Sequence, residues 1–172
     1  MDMRYGIKII FAILFFVCGC TPPQTHIKTS ASLKEDNLVK DVLRSPLSQQ
    51  RRTIIQTAHS LRGTPYLAGG SSPKGFDCSG FVLHVYDRAG VSVPRRTDLQ
   101  YINGRKISLS KTKPGDLVFF QTTSRKISHV GIYIKDGMFI HAPSSGNRVS
   151  YASMDNPYWQ SRYRGSVSYL RK

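Results

Sequence analysis

One thiol and two imidazoles in this chain have the types and the spacing for acyl chemistry: Cys78, His129 and His141. Cys78 lies in Gly75-Phe76-Asp77-Cys78-Ser79-Gly80-Phe81-Val82, where a glycine-rich loop turns into an apolar-periodic segment. Asp77 has an N-cap side chain, and Phe81, Val82, Val85, Tyr86 and Ala89 then share one helical face before Gly90 stops the run. The spacing predicts a helix that opens at Cys78. Unpaired amides and the positive dipole end at that position favour an anion, so the thiol is expected to ionise more readily than a free one. That suits a nucleophile; the competing role for such a cysteine is a small packed apolar residue.

The histidines fall on a segment with a different period. His129 to Ile134 alternates, with Val130, Ile132 and Ile134 on one face and His129, Gly131 and Tyr133 on the other. Asp136-Gly137 marks a tight turn, and Met138 to Ala142 returns as the partner strand. A plain two-residue loop would put His129 and His141 on opposite faces. A three-residue loop, Lys135 to Gly137 with Gly137 left-handed, sets Gly131 against His141 and makes His129 its diagonal neighbour, roughly 7 Å away at the backbone. The missing side chain at Gly131 is expected to leave room for both rings. In that arrangement Cys78 attacks a carbonyl, His129 moves the proton and His141 holds the imidazole in its tautomer. The Cys78 amide would face the oxyanion. Activity is then expected to need a thiolate and a charged His129. Two histidines can also ligate metal, but this spacing with Cys78 fits no zinc pattern, and neither metal nor cofactor is expected.

The remaining segments read as support. Arg51 to Leu61 has the period of an amphipathic cover helix, ended by Gly63, with His59 as a surface histidine. Gly63-Thr64-Pro65-Tyr66-Leu67-Ala68-Gly69-Gly70 is a flexible loop in which Tyr66 could pack or line a cleft. Val93-Pro94-Arg95-Arg96-Thr97 reads as a solvated basic loop, and Asp116 to Phe120 as a buried strand. His84 lies about 240° round the helix from Cys78 and is a bystander. Trp159, with Tyr158 and Tyr163, packs the C-terminal segment or touches sugar.

The N-terminal stretch carries an address. Arg4 and Lys8 precede an unbroken apolar run from Ile9 to Val17, too short for a permanent span and suited to a secretory signal. Val17-Cys18-Gly19-Cys20 resembles a bacterial lipobox, which implies cleavage before Cys20, lipid on that residue and a membrane tether. Thr21 after it resembles sorting to the outer membrane, facing the periplasm, in an organism that has one. The expected organisation is a signal peptide over 1–19, a lipid-anchored flexible linker over 20–46 and a catalytic domain over 47–172. Leu38, Val42 and Leu43 are spaced for a short helix within the linker, which could otherwise reach roughly 80 Å. If Cys18 leaves with the signal and Cys20 carries lipid, Cys78 has no disulfide partner, which favours chemistry over packing.

Charge names the kind of partner. The formal net charge is +15, with 25 Lys and Arg scattered among 172 residues. Nucleic acid, an anionic membrane and an acidic wall polymer all fit that sign; export removes nucleic acid.

Five stretches together resemble the NlpC family of peptidoglycan endopeptidases: Gly63-Thr64-Pro65-Tyr66, Gly75 to Val82, Pro114 to Phe120, His129-Val130-Gly131-Ile132-Tyr133 and Phe139-Ile140-His141-Ala142-Pro143. They run in the family's order and look closest to its Gram-negative lipoprotein members. The resemblance implies a papain-like α+β fold, with a Cys-bearing helix packed on an antiparallel sheet that carries the histidines. It implies a thiol peptidase cutting peptidoglycan stem peptides or cross-links next to D-glutamate or diaminopimelate, through an acyl-enzyme. It implies Cys78 as nucleophile, His129 as base and His141 as orienting residue. Tyr66 resembles the family's cleft tyrosine, and Asp77, Ser79 and Ser128 are expected to contact the stem peptide. Leu67-Ala68 replaces an aromatic common in relatives. An amidase cutting between muramic acid and L-alanine, and a non-catalytic wall-binding lipoprotein, are the alternatives.

Overall fold

The alternating segment at His129 becomes the middle of a sheet, and every other element is placed by how it covers one of that sheet's faces. The computed structural model describes residues 29–123, 126–144 and 147–171. The signal segment 1–19, Cys20 and the start of the expected linker lie outside the described residues. In chain order the elements are α1 (Ser30–Arg44), α2 (Gln49–Ser60), β1 (Ser71–Ser72), β2 (Gly75–Phe76), α3 (Cys78–Arg88), α4 (Thr97–Asn103), β3 (Arg105–Ile107), β4 (Leu117–Phe120), β5 (His129–Lys135), β6 (Met138–His141), β7 (Ser150–Ser153), α5 (Pro157–Arg162) and β8 (Tyr163–Ser168). Six strands form one antiparallel sheet in the order β3-β8-β4-β5-β6-β7, and β1 pairs with β2 in the loop before α3.

The two faces of the sheet differ in material because the strands alternate. Leu117, Phe119, Val130, Ile132 and Ile140 point to one side and join Ile54, Ile55, Phe81, Val82 and Val85 from α2 and α3 in the larger core. Val118, Phe120 and Phe139 point to the other side and meet Met154, Trp159 and Tyr163 in a smaller, aromatic-rich cluster. At the start of β4 Arg51 of α2 pairs with buried Asp116 at 3.1 Å, and Asp116 also accepts from Ser168 Oγ at 2.6 Å and the Lys113 amide at 2.8 Å. The charge is tolerable in the interior because its lone pairs are used.

Two expectations change. Residues 30–44, expected as flexible linker with a short helix at Leu38 to Leu43, form one long helix that starts at an N-cap, Thr29, and buries Val39 and Val42 in the larger core. Their spacing is helical, so a polar segment still presents one apolar stripe to the domain. Lys135 holds α1 from outside through Asp41 at 2.5 Å, and His59 links it to the sheet, with Nε2 at 3.3 Å from Asp36 and Nδ1 at 2.8 Å from the Tyr151 hydroxyl. His59 is therefore a junction between α1, α2 and β7.

The hairpin also differs in its means but not in its register. Ile132 pairs with Ile140 and Tyr133 with Phe139, the register that makes His129 and His141 diagonal neighbours. The loop itself has two residues, Asp136 and Gly137, both at positive φ (49° and 74°), and the extra residue is a bulge at the Tyr133/Lys135 irregularity. The space over Gly131 is not used by the imidazoles. A Cβ there would stand 2.5 Å from Phe139 Cδ2, so the glycine admits the Phe139 ring, which packs on His141 with centroids 5.0 Å apart.

Candidate active site

Cys78 is the first residue of α3, capped by Asp77, whose Oδ1 accepts from the Gly80 amide at 2.7 Å. The glycine at 80 is a packing requirement, because a Cβ there would collide with the Gly70 carbonyl oxygen. That close approach seats the helix start on the loop carrying Tyr66. Arg95, expected in solvent, instead grips Asp77 through two bonds of 3.0 and 2.6 Å and donates to Ser79 Oγ at 2.8 Å. Arg96 does face solvent, paired with Asp98 at 2.6 Å. Burial pushes the Asp77 carboxyl up, but Arg95 and the Gly80 amide outweigh it and hold the group below its usual range.

The sulfur has polar neighbours from two further elements. Thr97 Oγ1 lies 3.6 Å from Sγ at the start of α4, and the Ser128 carbonyl, one residue before His129, lies at 4.0 Å. The surroundings of the thiol act against the acidity expected of a helix start. Burial pushes its pKa up and the Asp77 charge adds to that, against smaller opposing contributions from the Thr97 hydroxyl and the Val130 and Ser79 amides. Tyr66 stands close enough that burial, then the charges at Cys78 and Asp77, push its phenol up, so it remains a protonated donor.

His129 and His141 lie on the aromatic face of the sheet, both buried. His129 Nε2 and His141 Nδ1 are 2.8 Å apart with the rings at 89°. Phe120 and Trp159 enclose His129, and burial lowers its pKa to about 4. His141 is also held well below the ordinary value, by burial and then by the His129 charge. Both shifts favour the neutral forms of Cys78 and His129 before substrate binds, the opposite sense to the thiolate and charged His129 expected for activity.

The structure thus brings Cys78, Tyr66, Asp77 and Ser79 together at the helix start and pairs His129 with His141 at the neighbouring strand ends. Ser128 contributes its carbonyl, while its hydroxyl accepts from the Thr122 and Thr123 amides at 2.8 and 3.3 Å and so shapes the β4–β5 loop. A surface hollow of about 630 Å³ lies along the helix start, lined by Asp77, Ser79, Arg95, Arg96, Thr97 and Lys126 among others; Thr97 is its link to the sulfur, and Cys78, His129 and His141 do not line it. Sequence reasoning missed Thr97, the inward role of Arg95, and Trp159 against the histidines. The proline before Arg95 marked the turn, but no local signal pairs a loop arginine with a distant helix cap.

A thiol at a helix start, set against the end of an antiparallel sheet that holds a hydrogen-bonded histidine pair, defines a papain-like cysteine hydrolase. The chain belongs to the NlpC/P60 family, whose model matches residues 63–168. It is 39% identical over 179 residues to the murein DD-endopeptidase MepS/murein LD-carboxypeptidase of Escherichia coli K12, covering 94% of this chain and 91% of that one. It is 43% identical over 112 residues to a probable endopeptidase of Haemophilus influenzae, covering 64% of this chain and 69% of that one. The gamma-DL-glutamyl hydrolase of Bacillus subtilis is 41% identical over 115 residues, 65% of this chain but only 28% of the relative. Among solved structures, the NlpC/p60 domain of the peptidoglycan hydrolase SagA matches with a TM-score of 0.60 and 37% identity, covering 69% of this chain and 97% of that one. An NlpC/P60 family protein from Bacillus cereus matches with a TM-score of 0.67 and 33% identity, covering 70% and 40%.

Proposed function

We propose that this protein is a cell-wall hydrolase of the cysteine peptidase class that cuts amide bonds in peptidoglycan stem peptides or cross-links, next to D-glutamate or diaminopimelate. Family membership and the named activities of the relatives support the hydrolase class. The observation that carries the catalytic reading is the 2.8 Å His129–His141 bond at the strand end against which the Cys78 sulfur sits.

In this mechanism His129 carries its proton on Nε2 and donates it to His141 Nδ1, which leaves His129 Nδ1 as the base. His129 is neutral at neutral pH because burial lowers its pKa to about 4. As Sγ attacks the scissile carbonyl carbon, Nδ1 takes the thiol proton, and the resulting imidazolium is stabilised by His141. The Cys78 amide, without an intrahelical acceptor at the first position of α3, and the protonated Tyr66 hydroxyl are the donors offered to the oxyanion. Collapse of the adduct breaks the C–N bond, and the imidazolium protonates the departing amine. Water, deprotonated by His129, then hydrolyses the thioester to a carboxylate and restores the thiol. Asp77 and Ser79 act through Arg95 to fix the helix start and form the cleft wall.

The membrane partner and the address are part of the same proposal: lipid on Cys20 tethers the enzyme in the cell envelope, at the periplasmic face of the outer membrane in a Gram-negative cell. The Lys and Arg surplus draws it to acidic wall polymer. Digestion of defined muropeptides with wild type and Cys78→Ser, read by mass spectrometry, tests the reading. Loss of an internal stem or cross-link amide by wild type alone supports it; cleavage of the muramoyl–L-alanine bond assigns an amidase, and equal turnover by Cys78→Ser removes the catalytic role.

A further inference from the structure

The ring geometry behind the histidine pair involves a residue that neither the cleft nor the nucleophile uses. Trp159 lies on α5 and is partly exposed. Its indole is stacked on His129 with centroids 5.3 Å apart and planes at 29°, and it meets His141 edge-on at 4.9 Å and 85°. The two imidazoles are themselves at 89°. Because they are perpendicular, one flat ring can lie along the first only by standing edge-on to the second. The indole is broad enough to reach both. Phe120 and Phe139 then hold it edge-on at 4.9 and 5.2 Å. The backbone fixes its base: Asn156 caps α5 through the Tyr158 amide at 2.9 Å, and its carbonyl accepts from the Trp159 amide at 2.9 Å.

We propose that Trp159 is the positioning residue of the catalytic base: its indole fixes the plane of the His129 ring and keeps water from the His129–His141 hydrogen bond. The proposal rests on the assignment of His129 as base. The consequence for chemistry is directional. A ring free to rotate would no longer hold Nδ1, the proposed base, in one direction while Nε2 bonds His141, and water reaching Nε2 would compete for its proton. The loss falls on the step in which the proton moves, hence on kcat more than on KM. A sugar-binding tryptophan would show the reverse.

The chain has one tryptophan, which makes the contact observable without turnover. An imidazolium quenches a stacked indole, so intrinsic fluorescence of the full chain should titrate with a midpoint at about 4, and His129→Gln should abolish that step. In kinetics on muropeptides, Trp159→Ala should lower kcat by about 10²-fold with KM little changed, and Trp159→Phe should recover most of the loss. Trp159→Ala should also move the acid limb of kcat/KM upward toward the ordinary histidine range, since the base must be neutral and the removed indole is part of its burial. If Trp159→Ala does not fold, Trp159→Phe still carries the test through a smaller shift of the same limb. An acid limb that stays in place with kcat intact in a folded variant overturns the proposal, as does a loss confined to KM. If Cys78→Ser retained turnover while the fluorescence step remained, the hydrolase reading would fail and the stacking would not.

Discussion

Cys78 and His129 reach the same end of β5 from opposite faces of the sheet, and the faces surround them with different materials. On the cysteine's side the neighbours are polar and interlocked: Arg95 on Asp77 and Ser79, Thr97 on the sulfur, Tyr66 across the loop. On the histidine's side they are aromatic and dry: Phe120, Phe139 and Trp159. Both environments nevertheless act in the same sense. Burial raises the thiol, helped by the Asp77 carboxylate, and burial lowers the imidazole. Both shifts work against a thiolate and an imidazolium in the free site. In the proposed mechanism charge separates only during the attack on substrate, where preorganised donors act on it.

The two sides can be broken separately. Cys78→Ala should remove all turnover, a loss of at least about 10⁴-fold in kcat, measured on muropeptides. His129→Ala should cost about 10³-fold, and His141→Ala less, about 10²-fold, since it leaves a base whose tautomer is no longer fixed. Equal losses from the two histidines would mean that they act as one unit. Arg95→Ala sharpens the contrast. It frees the Asp77 charge to push the thiol further up, so kcat/KM should drop by about tenfold. Alkylation of Cys78 should then need a higher pH, while the acid limb set by His129 stays where it is. An acid limb that moved with Arg95 would show that the two sides are not independent. The smallest effect lies away from the site: Val42→Ala in α1 should lower unfolding stability by about 2 kcal/mol in a denaturant titration, because Val42 is 1% exposed. A flexible linker would predict almost no change.

The parts legible in the sequence were those with a local pattern. Asp77 before an apolar face sets α3 and its cap, alternation sets β5, and parity puts the two histidines on one face. The turn residues were also visible, but Asp136-Gly137 as a two-residue loop with a separate bulge gives the same register as a single longer loop, so parity alone could not tell them apart. Edge strands gave little signal: β3 reads Arg-Lys-Ile and β7 Ser-Tyr-Ala-Ser, neither with an apolar alternation. For α1 the spacing of Leu38, Val42 and Leu43 pointed to a short helix, but its full length and its packing on the domain through Val39 and Val42 lay hidden in a run of charged and polar residues that looks like linker. Arg95 with Asp77 and Trp159 with His129 are tertiary contacts between segments that carry no mark of each other, and only the fold brings them together.

The neutral resting pair is tested most directly by the rate of Cys78 alkylation by iodoacetamide against pH, followed on the Cys78 peptide by mass spectrometry. With thiol raised and imidazole lowered, the rate should be slow at neutral pH and rise in one step above the ordinary thiol range. A plateau of fast alkylation beginning in mildly acidic solution and extending through neutrality would mean a preformed thiolate–imidazolium pair, and would contradict it.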